Sequence, residues 1–212
     1  VNRKGKSGLF ALTNQHIALG EGTPIAFPSF QAGFFFRGET TASVGLIADE
    51  IFLPPFDNPT SYIDVDCALV RIPVADEGRF TPEIPTFGRP KGIFTPDGSN
   101  TNTYSESLLG KQVFSYSWKS GARSGVISHV YFVSEDSATG MIDVECFLVK
   151  SLDNLPPGIH GDSGKLWMTK VNGENHAIGV HSGVVSSNSL NGRFAMATEF
   201  ASLARFLDIS LV

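Results

Sequence analysis

GIHGDSGKLW, residues 158 to 167, is the stretch on which the reading of the whole chain turns. Glycine loses more conformational freedom on folding than any other residue, so a loop this rich in it needs a reason. One reason is a tight turn. The other is a backbone that must approach a ligand closely. Ser163 sits inside the run Gly161-Asp162-Ser163-Gly164, between the pair Pro156-Pro157 and an apolar stretch beginning at Leu166.

The composition bounds what such a loop can serve. The chain has 212 residues, enough for one large domain or a two-lobed one. Hydrophobic residues make up 42%, which supports a core and argues against disorder. A net charge of −5 argues against nucleic acid as a partner, since such binders carry a basic face. No apolar run approaches the roughly 20 residues that span a bilayer, so no membrane partner is expected. No signal peptide is visible. The first residue is Val1 rather than Met, which suggests a processed or excised piece of a longer chain with further domains. Cys67 and Cys146 lie in the apolar runs DCALVRI and VECFLV. They read as two buried thiols, with a single disulfide as the alternative. No metal-ligand spacing such as C-x-x-C occurs, and the five histidines do not cluster with cysteines, so no metal or cofactor is expected. A reducing, intracellular setting follows from the cysteine usage.

Most of the chain reads as short strands separated by Gly, Pro, Asn and Ser. SGLFALTN, TPIAFPSF, AGFFFRGE, CALVRIPV, KQVFSYSW, SGVISHVYFV, MIDVECFLVK, GKLWMTKV, HAIGVHSGVV and RFAMATEF are all rich in β-branched and aromatic residues. In IDVECFLV, Ile142, Val144, Cys146 and Leu148 alternate onto one face. Asn172-Gly173, between two such runs, predicts a hairpin turn. Only TEFASLARFLDI reads as a helix. Thr198 is its expected cap, and Phe200, Leu203, Ala204 and Leu207 are its apolar face. Residues 87–110 are rich in Pro, Gly and polar side chains and read as a linker. The expectation is an all-β chain of two packed six-stranded barrels, 1–86 and 111–212, the second ending in the helix.

Three motifs fall on this plan. His16 follows a strand in ALTNQHIAL, Asp64 and Asp66 open a strand in YIDVDCALVRI, and Ser163 lies in the glycine loop. Alone, each has a bland reading: a structural histidine, a strand-end aspartate, a turn serine. Together they run His…Asp…Ser along the chain, the order of chymotrypsin-type enzymes. LTNQHIA resembles the segment around the histidine of that family. DCALV resembles its aspartate segment, GDSG its nucleophile motif, and AIGVHSGV the strand lining its primary specificity pocket. The resemblance covers nearly the whole chain. VFSYSWKSGARSGVISHV, GDSGKLWM and RFAMATEF also look similar to a divergent trypsin-like group that includes the plant narrow-leaf proteins.

The resemblance implies a serine endopeptidase acting on a protein or peptide substrate. Ser163 would be the nucleophile and His16 its base, and Asp66 would hold the imidazole tautomer. Asp64, two residues earlier and on the same strand face, competes for that last role. Backbone N–H groups of Gly161 and Ser163 would bind the oxyanion, each such donor contributing about 2.7–4 kcal/mol. Asp162 resembles the residue that pairs with a freed N-terminal amine in many secreted relatives. The segment before His16 is too short to show such an activation peptide, and it lacks the usual G-T-G-F strand. Ile159, His160, His181, Ser182 and Gly183 would contact substrate, with His160 at a solvated rim. LPPGIH, residues 155–160, contains no acid where Lys/Arg-specific members have one. Cleavage after Lys or Arg is therefore not expected. Cleavage after Glu or Gln would follow if His181 enters the pocket. If it faces the core, small apolar residues would be preferred. The alternatives are a catalytically silent pseudo-protease serving as a binding module and, within the enzyme class, a viral polyprotein protease, to which GVHSG is similar.

Overall fold

Runs of β-branched and aromatic residues become ladders here because each strand can bury one face against a neighbour. The structure is a computed structural model that describes residues 1–14, 17, 24–28, 35–48, 62–97, 101–135, 142–187 and 192–212; for 24–28, 35–48, 62–66, 101–102, 133–135, 142–146, 187 and 192 it describes the backbone alone. The first lobe holds β1 (Asn2–Arg3), β2 (Phe10–Thr13), β3 (Pro24–Pro28), β4 (Phe35–Ala48) and β5 (Tyr62–Arg71). A 3-10 helix (Val74–Arg79), β6 (Gly92–Ile93) and α1 (Thr101–Leu108) lead to the second lobe. There β7 (Gln112–Ser117), β8 (Gly121–Glu135), β9 (Ile142–Ser151), β10 (Leu166–Val171), β11 (Glu174–Ser187) and β12 (Gly192–Glu199) are followed by α2 (Phe200–Leu207) and β13 (Ile209–Ser210).

The second lobe closes. Its strands run β10-β7-β8-β9-β12-β11, and β11 pairs back onto β10, giving a six-stranded barrel with no free edge in the ring. In the first lobe, four strands are described in the order β2-β5-β4-β3. Each of the ten runs read as strands contains one of these elements. The predicted hairpin joins β10 to β11. Asn172 and Gly173 both have positive φ, 51° and 84°, as a type I′ turn requires.

Two expectations need correction. TEFASLARFLDI does not hold the only α-helix: α1 forms within 87–110, where β6 also pairs in parallel with β11. The helix is hard to see because its sequence, TNTYSESL, is mostly polar. Among its described side chains, Tyr104 and Leu108, four residues apart on one face, are the buried ones. Thr198 is not the cap of the terminal helix. It stays in the β12 ladder opposite Val180, and Glu199 takes the cap position with no side-chain capping bond. The apolar face behaves as read, with Phe200, Leu203, Ala204 and Leu207 all buried.

One core joins the lobes. Phe10, Cys67 and Leu69 of the first lobe cluster with Phe147, Val149, Trp167 and Phe200 of the second. Strand β5 lies against β9. Consecutive residues Phe147, Leu148 and Val149 are all fully buried, so β9 is covered on both faces at this point. Cys67 is fully buried as a thiol, while the Cys146 side chain lies outside the described residues. No described helix is long and apolar enough to cross a membrane.

Candidate active site

The loop 157–165 is shaped by two left-handed glycines and one buried carboxylate. Asp162 N–H donates to the Ile159 carbonyl at 3.0 Å, closing a four-residue turn. Gly161 is its third residue, at φ +95°, the pattern of a type II turn. A side chain at Gly161 would be strained by that φ and would also meet the aliphatic stem of Lys119 at 3.0 Å. The requirement for glycine is therefore conformational as well as one of access. Gly164 has φ +85°. Ser163, between them, is half-buried.

Asp162 holds the turn from beneath. Its Oδ2 accepts the Ile159 N–H and the Lys165 ammonium, both at 3.0 Å. Its Oδ1 accepts the Ser117 hydroxyl at 2.5 Å, and Ser117 Oγ lies 2.9 Å from Ser120 Oγ. Burial by itself would raise the pKa of this carboxyl. The Ser117 hydroxyl and the Lys165 ammonium outweigh it and hold the group below the usual carboxylate range. Burial lowers the pKa of Lys165, against the pull of Asp162. The partner of Asp162 is thus an internal lysine. The Val1 amine instead donates to the Phe10 carbonyl at 2.9 Å.

The three motif segments converge. A Cβ on Gly164 would lie 2.9 Å from Thr13 Oγ1 and 3.3 Å from its Cα, so the serine loop rests on the end of β2, just before His16. Thr13 pairs with Ala68 of β5, the strand that carries Asp64 and Asp66. His16 itself and the side chains of Asp64 and Asp66 lie outside the described residues. The backbone thus brings Gly164, Thr13 and Ala68 of the three segments together.

The other candidate residues gather around β11. His181 exchanges backbone hydrogen bonds with the serine loop: Gly164 N–H donates to its carbonyl at 3.0 Å, and its own N–H donates to Lys165 O at 2.9 Å. His181 is 1% exposed, and its ring lies edge-on to Trp167. It also fills the space beside Gly158, where a Cβ would come within 2.6 Å of the ring. Ile159 is half-buried and His160 is exposed. Ser182 is buried, and Gly183 follows at a register shift against β12. Among the described residues, no group of three or more His, Cys, Asp or Glu is placed to hold a metal ion. Three residues went unrecognised in the sequence: Lys165, Ser117 and Gly158. A lysine directly before the apolar run Leu166-Trp167-Met168 was the available signal for the first. The other two had none.

No protein-family model matches the sequence, and no curated protein matches it. The backbone is nevertheless similar to those of solved proteases. Thermobifida fusca Protease A aligns with a TM-score of 0.57 at 19% identity, over 95% of this chain and 83% of that one. Cellulomonas bogoriensis chymotrypsin aligns with 0.54 at 16%, over 95% and 84%. A protein described as a glutamic acid specific serine protease that uses a histidine triad in substrate binding aligns with 0.55 at 12%, over 96% and 86%. The fold of this chain is that of the chymotrypsin-like serine proteases.

Proposed function

We propose that this chain, with its chymotrypsin-like fold, is a serine endopeptidase. The observation that carries the reading is the seating of Gly164 on Thr13. It sets the Ser163 loop against the strand end that precedes His16, beside the strand that carries Asp66. In this reading His16 takes the proton of Ser163 Oγ as the oxygen attacks the substrate carbonyl. Asp66 holds the imidazole and stabilises its cationic form. The oxyanion is met by the N–H groups of Gly161 and Ser163. His16 then returns the proton to the leaving amine, and water releases the acyl group by the same route.

Cleavage does not follow Lys or Arg, because residues 155–160 offer no acid and a buried cation would lack a partner. Ile159, His160, His181, Ser182 and Gly183 contact the substrate. The His181 ring is buried beside Gly158, on the 155–160 side of the pocket, and an imidazole there can donate a hydrogen bond to a Glu or Gln side chain. Where the ring stays packed on Trp167, small apolar residues are preferred instead. The glutamic acid specific neighbour, which uses histidines for substrate binding, lends this preference a precedent on the same fold.

The test is labelling with a fluorophosphonate probe, alongside peptide cleavage. Wild type is expected to be labelled, and Ser163→Ala to lose both labelling and cleavage while retaining its circular dichroism spectrum. An unlabelled, folded wild type would instead favour the silent binding module.

A further inference from the structure

Lys165 is sealed inside the protein. Its side chain is 2% exposed and that of Asp162 is 0% exposed. Its Nζ donates to Asp162 Oδ2 at 3.0 Å and to the Pro157 carbonyl at 2.8 Å, and sits 4.8 Å from the centre of the Trp167 ring. These contacts grip the loop at both ends, at Pro157 and at the residue preceding Ser163. Pro156 and Pro157 have no N–H to give to a ladder, so this stretch can be anchored only through its carbonyls. Cations take both: Lys165 takes that of Pro157, and Arg123 Nε donates to that of Pro156 at 3.2 Å.

We propose that Lys165 is a positioning residue for the peptidase. Its ammonium ties Pro157 to Asp162 and thereby holds the 158–161 turn so that the Gly161 and Ser163 N–H groups point at the substrate carbonyl oxygen. The proposal rests on the serine endopeptidase reading. A buried ion pair is poorly suited to adding stability, because desolvation offsets much of the attraction, and apolar replacements of both partners are often neutral. Fixing the loop is what this pair can do that a well-packed apolar pair cannot.

The test compares wild type, Ser163→Ala, Lys165→Met, Asp162→Asn and the double variant Lys165→Met/Asp162→Asn. Unfolding midpoint, fluorophosphonate labelling rate, kcat and KM are measured for each. Each single charge removal strands its partner and lowers the midpoint, and the double variant regains most of the loss. Labelling rate and kcat fall about 100-fold or more in the double variant, the scale of one lost oxyanion donor. KM changes less than about threefold, since the loss is confined to the transition state. A double variant that folds and labels at the wild-type rate overturns the proposal, as does an increase in KM with kcat unchanged. Should the double variant not fold, Lys165→Gln serves in its place. It retains a donor without the charge, and wild-type kcat there also overturns the proposal. Wild type that fails to label, or Ser163→Ala that labels equally, removes the endopeptidase reading itself, an outcome distinct from a labelled wild type with an indifferent Lys165.

Discussion

Asp64 pairs with Leu46 and Cys67 with Val44, so β5 carries an extra residue between Asp64 and Cys67. The strict alternation expected to put Asp64 and Asp66 on one strand face is broken there, and chemistry must decide which aspartate serves His16. Asp66→Asn is expected to reduce kcat steeply, on the order of 10⁴-fold if the wrong imidazole tautomer results, as in the general triad case. Asp64→Asn should cost far less, and the reverse ranking in steady-state kinetics would transfer the role. Gly158 bears on specificity. A methyl group there meets the His181 ring at 2.6 Å, so Gly158→Ala must displace the ring. The expected result on a peptide library is a loss of Glu and Gln preference by tenfold or more, with the probe labelling rate within a few-fold of wild type. At this scale, residues that do chemistry were legible and residues that hold them were not. GDSG and the His and Asp segments announce themselves because bond-making needs particular groups in a particular order. Lys165 looks like any surface lysine until the fold buries it, and Gly158 like any turn glycine until a ring lies against it.

At the level of elements, the β12–α2 junction carries a buried carboxyl group. Glu199 accepts hydrogen bonds from Tyr104 Oη at 3.1 Å and Ser202 Oγ at 3.0 Å, yet burial raises its pKa above the ordinary carboxylate value. A group whose folded pKa is raised contributes its stability in full below its unfolded pKa and loses it as pH rises through the folded one. Glu199→Gln preserves the acceptor and removes the charge. It should therefore raise the unfolding midpoint at pH 8 and leave it unchanged at pH 4, as thermal denaturation would report. The β10–β11 turn is a simpler case. Nothing lies within 4 Å of a Cβ on Gly173, so Gly173→Ala costs only the left-handed backbone, about 1–2 kcal/mol. Strands and this turn were readable because alternation and Asn-Gly are local signals. Helix α1 was not, because two buried residues in a polar segment leave almost no periodicity, and its stability comes from packing onto β8.

For the molecule as a whole, the continuous core predicts that the lobes melt together. Far-ultraviolet circular dichroism and tryptophan fluorescence should give one coincident transition. Phe147, fully buried in the strand that meets β5, is the sharpest probe of that coupling. Phe147→Ala should cost about 3–5 kcal/mol and lower the midpoint by roughly 10 °C, without splitting the transition. The two-lobed, all-β plan was legible from strand count and motif order. The closed six-stranded second barrel was expected too, but the strand order that closes it was not legible, because pairing β10 with β7 joins residues distant in sequence and no local pattern encodes it.

A side chain sealed from water is also sealed from reagents. Lys119 is exposed, whereas Lys165 lies inside the closed barrel lobe. An acylating reagent should modify the first at once and the second only during openings that break the Asp162 pair and admit the reagent. The ratio of the two rates, read by mass spectrometry of the digested chain, then measures the free energy of that opening. The lysine proposed to aim the loop would thus record, in covalent form, how often the loop comes undone.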